Sequence, residues 1–250
     1  MIRSFNFYER CPMKTKYIVF DKDGTLMDFE KFWVKILKIS IEAILKKYNA
    51  PTHLAQDICK AYGADGAVVD INGIFCSGTY EMMGNAIYDI FEENGIKTDF
   101  DELCAVTKDE FYSNYSLGEI VPTCDDIEGL FEKISSLGIK AVLITSDDEF
   151  GAKKCLDKFK ITKFFDAIYA DDGINPPKPD PYYINRLISE KSAKKEEIVM
   201  VGDTLTDMNF AKNAEVKAVG VAKSTGNKNI LMPYADAVID DISQILDVID

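Results

Sequence analysis

Four short apolar runs punctuate the chain: Tyr17-Ile18-Val19-Phe20, Ala141-Val142-Leu143-Ile144, Ile198-Val199-Met200-Val201 and Ala218-Val219-Gly220-Val221. A strand with one wet face alternates apolar and polar residues, whereas an uninterrupted run of four suits a strand covered on both faces of a parallel sheet. Phe165 to Tyr169 is a weaker fifth candidate. Helical patterns separate the runs. Thr123 is placed to cap a helix that continues through Leu137, with Asp126 three residues on and Gly138 as the stop. Residues 150–159, 181–191 and 207–214 also carry helical spacing. Strand and helix in alternation predict an α/β fold, a doubly wound parallel sheet with right-handed crossovers.

One interval breaks the rhythm. From Asp28 to Val121 the pattern is helical and almost devoid of strand signal. Phe29, Phe32, Trp33, Ile36, Leu37, Ile41, Ile44, Leu45 and Tyr48 recur at helical spacing before Ala50-Pro51 ends the run. Residues 52–62, 79–93 and 99–115 extend the helical reading. The expectation is a core domain of residues 1–27 and 122–250, with a smaller α-helical domain, 28–121, inserted after the first strand.

Composition narrows the class. At 250 residues the chain suits one large domain or a domain with a sizeable insert, and 47% hydrophobic with 28% charged residues is ordinary for a globular protein. A formal net charge of −13 argues against nucleic acid or an anionic membrane surface as a partner, since both reward clustered Lys and Arg. No stretch approaches the roughly 20 apolar residues of a membrane span, and Met1 to Met13 lacks an apolar leader core. Six scattered cysteines, with no Cys-x-x-Cys pair, read as reduced thiols, so the expected location is cytoplasmic. The single histidine, His53, leaves no His-rich metal site.

In an open α/β sheet the ligand crevice lies at the carboxyl ends of the strands. The residues expected there are Asp21-Lys22-Asp23-Gly24-Thr25 after the first run, Thr145-Ser146 after the second, and Gly202-Asp203 with Asp207 after the third; Lys178 sits in the Pro-rich loop before that third run. A carboxylate that attacks a phosphate must overcome like-charge repulsion, so a hard cation held by oxygen ligands is close to obligatory, and Mg2+ suits such donors. In this reading Asp21 is nucleophile and metal ligand, and Asp23 is general acid and base and is counted with Asp21, Asp203 and Asp207 among the metal-site residues. Thr145, Ser146 and Lys178 hold the phosphate, while Asp203 completes the metal site. Asp207 is either a further ligand or the residue that orients Lys178. Each motif also has a plainer reading: Asp-Lys-Asp-Gly as an exposed turn, and Gly202-Asp203 with Asp207 as a helix start with a capping carboxylate.

Asp21-Lys22-Asp23-Gly24-Thr25-Leu26, Thr145, Lys178-Pro179 and Gly202-Asp203 with Asp207 together resemble the four ordered motifs of the haloacid dehalogenase superfamily, with separations of 124, 33 and 25 residues between Asp21, Thr145, Lys178 and Asp203. The resemblance covers essentially the whole chain. It implies a phosphoglycolate-phosphatase-like hydrolase that releases phosphate from a small phosphorylated metabolite, with the insert as a mobile cap that selects the substrate. A phosphomutase of the beta-phosphoglucomutase type uses the same motifs. A catalytically retired binding module would have lost at least one of these positions, and all are present. Asp23 disfavours dehalogenase and phosphonatase chemistry, because those branches lack an acid at its place. Ser146 stands where many relatives carry Asn. Asp147, Asp148, Asp171 and Asp172 add negative charge near the crevice, which favours a cationic or polyhydroxyl leaving group. A monomer or small homo-oligomer is expected.

Overall fold

The computed structural model describes residues 15–65, 69–71, 73–222 and 228–249. The first thirteen residues and Cys11, read above from sequence, lie outside them. Six parallel strands, β1 (Tyr17–Phe20), β2 (Lys140–Ile144), β3 (Phe165–Tyr169), β4 (Ile198–Gly202), β5 (Lys217–Val221) and β6 (Ala237–Ile239), form one sheet in the order β3-β2-β1-β4-β5-β6. All five expected strands are present. The edge strand β6 was not expected, because Ala237-Val238-Ile239 is three residues long and hemmed by Asp236 and Asp240.

Burial explains the continuous apolar runs. Ile18 and Phe20 point into one core layer with Leu143, Val199 and Val201, and Val19 points into the opposite layer with Val142, Ile144 and Met200. Successive side chains leave a strand on opposite faces, and helices cover both, so no position can be polar.

Between β1 and β2 the chain forms α1 (Phe29–Lys47), α2 (Leu54–Ala61), a short α3 (Ile74–Ser77), α4 (Tyr80–Glu93) and α5 (Phe100–Asn114), then α6 (Ile127–Ser136). Past β2 come α7 (Glu149–Lys158), α8 (Tyr182–Lys191), α9 (Leu205–Ala214), and the short α10 (Lys228–Leu231) and α11 (Ile245–Val248). Asp28, Thr79 and Asp99 cap α1, α4 and α5 by accepting a backbone N–H three residues on. The apolar stripe of α1 is buried from Phe29 to Leu45, and α5 packs against both α1 and α4, with α2 set against α1 and α4. Thr123 does not cap α6. Asp126 does, accepting from Gly129 N, while the Thr123 hydroxyl donates to the Thr25 carbonyl at 2.5 Å. That bond ties the end of the helical segment to the loop after β1, which is why the helix starts later than the sequence pattern suggests.

Strand order decides where a ligand can enter. From β1 the chain adds β2 and β3 on one side, then returns to add β4, β5 and β6 on the other. The helices leaving β1 and β4 therefore diverge, and the crevice opens where the direction reverses. Register aligns Phe20 with Leu143 and Val201, so Asp21, Thr145 and Asp203 emerge side by side.

Candidate active site

The loop after β1 needs an unusual backbone. Gly24 has φ +80°, and a Cβ built there would sit 2.0 Å from Asp203 Oδ2. Only glycine combines that dihedral with so close an approach. Gly202 is confined likewise, since its Cβ would lie 2.3 Å from Asp207. Both glycines let carboxylates crowd around the end of β4.

Asp21, Asp203 and Asp207 are buried, and one carboxylate oxygen from each lies within 4.8 Å of the others. Lys178 reaches in from the loop before α8 and donates to Asp21 Oδ1 at 2.6 Å and Asp207 Oδ1 at 2.7 Å. Thr25 donates to Asp203 Oδ1 at 3.2 Å. Burial pushes the Asp21 carboxyl up to about 7, Lys178 opposes it, and Asp207 and Asp23 add to it. Burial, then Asp21 and Asp207, raise Asp203 well above the carboxylate range. Burial alone would lower the Lys178 ammonium, but Asp207 and Asp21 hold it above its ordinary value. Three carboxylates against one ammonium leave buried negative charge, which a low-dielectric site relieves by protonation, as the raised Asp21 and Asp203 carboxyls show, or by a further cation. The donor set is all oxygen and hard, which fits a divalent cation.

Asp207 joins the two readings of its motif. Its Oδ2 accepts from Thr204 N and Thr204 Oγ1 in a capping box that starts α9, while Oδ1 takes the lysine. The cap fixes the side chain, and the fixed side chain orients Lys178.

Asp23 is turned elsewhere. Its carboxylate stands outside the three-aspartate group. Oδ1 accepts from Lys22 Nζ at 2.8 Å and from Trp33 Nε1 at 2.7 Å, and Oδ2 meets Lys22 Nζ at 2.7 Å. The Lys22 ammonium is fully buried and also pairs with Asp147 Oδ2 at 3.0 Å, to which Tyr115 donates at 3.2 Å. Burial would lower the Lys22 ammonium; Asp147 and Asp23 outweigh it and hold it well above its usual value. Sequence reasoning passed over Lys22 as a motif filler and Trp33 as core. The available signal was a lysine enclosed by two motif aspartates directly after a fully apolar strand.

Thr145 is buried at the end of β2, with its hydroxyl accepting from Asp147 N at 3.1 Å. Ser146 is exposed and faces a cavity of about 380 Å³. Asp23, Asp147, Asp148, Asp171 and Lys178 line it from the sheet side, and Trp33, Tyr80, Phe111 and Tyr112 from the helical segment. Asp148 caps α7, and Asp172 caps its own turn by accepting from Ile174 N and Asn175 N. Part of the acidic character there is thus local structure. Among the described residues no helix is long and apolar enough to cross a membrane.

Known proteins show the same plan. The chain is 26% identical over 241 residues to a phosphoglycolate phosphatase of Vibrio parahaemolyticus, covering 94% of this chain and 96% of that one. It is 32% identical over 126 residues to the pyrophosphatase PpaX of Halalkalibacterium halodurans, covering 49% of this chain and 59% of that one. A crystal structure of a predicted phosphoglycolate phosphatase from Haemophilus somnus superposes with a TM-score of 0.72 at 20% identity, over 94% of this chain and 98% of that one. The model of the haloacid dehalogenase-like hydrolase family matches residues 77–221, more than half of the sequence and the part that holds Thr145, Lys178, Asp203 and Asp207, and to that family of hydrolases the chain belongs.

Proposed function

We propose that this chain is a magnesium-dependent phosphatase that hydrolyses a small phosphomonoester through an aspartyl-phosphate on Asp21. The observation that carries the reading is the Lys178 ammonium shared between Asp21 and Asp207, with Asp203 completing a buried three-carboxylate group. Asp21 and Asp203, with Asp207 behind them, would hold the cation, which supplies charge neutralisation at the phosphoryl oxygens.

An Asp21 carboxylate oxygen attacks phosphorus as the ester P–O bond breaks, and Asp23, as general acid, gives a proton to the departing oxygen. Asp23 then takes a proton from water as that water attacks the phosphorus, which releases phosphate and restores both aspartates. Lys178 and the Thr145 hydroxyl stabilise the phosphoryl oxygens during both transfers, and Ser146 offers a further hydroxyl at the cavity wall.

Residues 28–121 act in this reading as a cap over a core of residues 1–27 and 122–250, and their aromatic side chains close the cavity from above. That volume suits a small leaving group. The names of the relatives make phosphoglycolate and pyrophosphate the first compounds to test, with the cytoplasm as the compartment. Asp21→Asn should abolish magnesium-dependent release of phosphate from 4-nitrophenyl phosphate while circular dichroism stays unchanged. Near-normal turnover in that variant would falsify the covalent reading, and a panel of phosphorylated metabolites scored for free phosphate identifies the substrate.

A further inference from the structure

The cluster around Lys22 lies beside the three-aspartate group, and of its members only Asp23 has a part in the mechanism above. Lys22 follows the nucleophile directly, yet its side chain runs inward, with its ammonium 5.8 Å from the centroid of the Phe32 ring. It contacts both oxygens of Asp23 and one of Asp147. Trp33, on the first turns of α1, donates its indole N–H to the same Asp23 oxygen that Lys22 holds. Tyr115, just past α5, donates to the Asp147 oxygen that Lys22 holds. The packing is tight. A Cβ at Gly151 would sit 2.1 Å from Asp147 Oδ2 and 2.5 Å from Tyr115 Oη. The two ends of the helical segment thus grip one ionic group, and that group aims Asp23 into the cavity.

A proton-transferring carboxyl must meet its partner oxygen within hydrogen-bond reach, and a misplacement of about 1 Å can cost roughly 10²-fold in rate. An aspartate on a loop, next to a glycine, does not hold such an aim by itself. We propose that Lys22 and Trp33 are positioning residues that fix the Asp23 carboxyl group for proton transfer, so that Asp23 is aligned only while the start of α1 is seated on the loop after β1. The inference rests on the acid–base role given to Asp23 above.

The test uses the full-length protein with magnesium and a series of aryl phosphates, from 4-nitrophenyl to phenyl phosphate, whose leaving phenols grow more basic. The quantity read is kcat/KM, which reports phosphoryl transfer to Asp21. Trp33→Phe keeps the ring and removes only the N–H. Its loss should be small with 4-nitrophenyl phosphate, which needs little protonation, and grow toward roughly 10²-fold with phenyl phosphate. The double variant Lys22→Met/Asp147→Asn removes one charge of each sign, so the fold keeps its charge balance, and thermal unfolding checks that it does. It should show the same dependence more steeply. In an Asp23→Asn background, adding Trp33→Phe should cost nothing further, because its effect runs through Asp23. An equal loss across all leaving groups, or full additivity with Asp23→Asn, would overturn the positioning role and leave the site reading intact. A wild type that releases phosphate from none of these esters would overturn both.

Discussion

Two buried ionic groups are built on the adjacent residues Asp21 and Lys22 at the end of β1, and they differ in balance. Around Asp21, one ammonium faces three carboxylates: Lys178 bonds Asp21 and Asp207, Thr25 holds Asp203, and Thr204 holds Asp207. Around Lys22, two carboxylates share one ammonium, and two aromatic donors from the helical segment complete them. The first group carries unmet negative charge and is suited to receive a cation. The second is closer to neutral and reads as a clamp. Adjacent residues, Asp21 and Lys22, thus serve opposite purposes because their side chains leave the backbone in different directions.

The contrast can be broken experimentally, most severely at the ammonium of the first group. Lys178→Met strands three buried carboxylates, so at about pH 8 the metal-free protein should lose about 3–5 kcal/mol in urea unfolding and its phosphate release should vanish. Magnesium should restore part of that stability, and an unchanged midpoint would show that the group is not charge-deficient.

A metal titration of the wild type comes next. Asp21 keeps its proton in the folded state up to about 7, whereas the unfolded carboxyl loses it near 3.8. The folded state therefore binds more protons between those values, and metal-free stability should fall as pH rises through that window. Magnesium at a hundred times its dissociation constant should add about 2.7 kcal/mol at the upper end, and little at the lower end where protons compete. Asp203→Asn should remove the magnesium response. A flat pH dependence without metal would contradict the assignment of excess charge to the first group.

Gly24→Ala sharpens the comparison further. It places a side chain at positive φ, worth about 1–2 kcal/mol, and drives a methyl into Asp203. The magnesium response should be lost while the leaving-group dependence set by Asp23 changes less. Smallest is Tyr115→Phe, which removes one hydrogen bond to Asp147 and should cost about 0.5–1.5 kcal/mol with no change in magnesium affinity. A drop in that affinity would show that the two groups are not separable.

The difference between the groups also marks how far sequence reading carries. The convergence of Asp21, Thr145, Lys178, Asp203 and Asp207 was legible because Asp21, Thr145 and Asp203 directly follow buried apolar strands, with Asp207 in the helix after the last of these and Lys178 in the loop before α8, and the parallel sheet brings such ends together. Five strands and helices α1, α2, α4 and α5 followed from the apolar pattern, whereas the four-residue α3 was not expected. The edge strand β6 was too short to stand out, and the start of α6 was misplaced because Thr123 spends its hydroxyl on the Thr25 carbonyl across 98 residues of sequence. The contacts of Trp33 were hidden for a similar reason. On a helical wheel it is one more apolar position in the α1 stripe, and only the seating of α1 on the loop after β1 turns its N–H toward Asp23.

Local chemistry was thus written in the chain: which segments are strands, which carboxylates stand at their ends, and which glycines allow a sharp turn. Those are properties of short windows, set by steric limits on the backbone and by the burial of apolar runs. The pairing of charges was decided only by the fold. Which aspartate faces Lys178 and which faces Lys22 depends on strand register, on the capping box that holds Asp207, and on helices that return from far along the chain. Electrostatic partnership is a matter of a few ångströms in space, and distance along a sequence does not encode it.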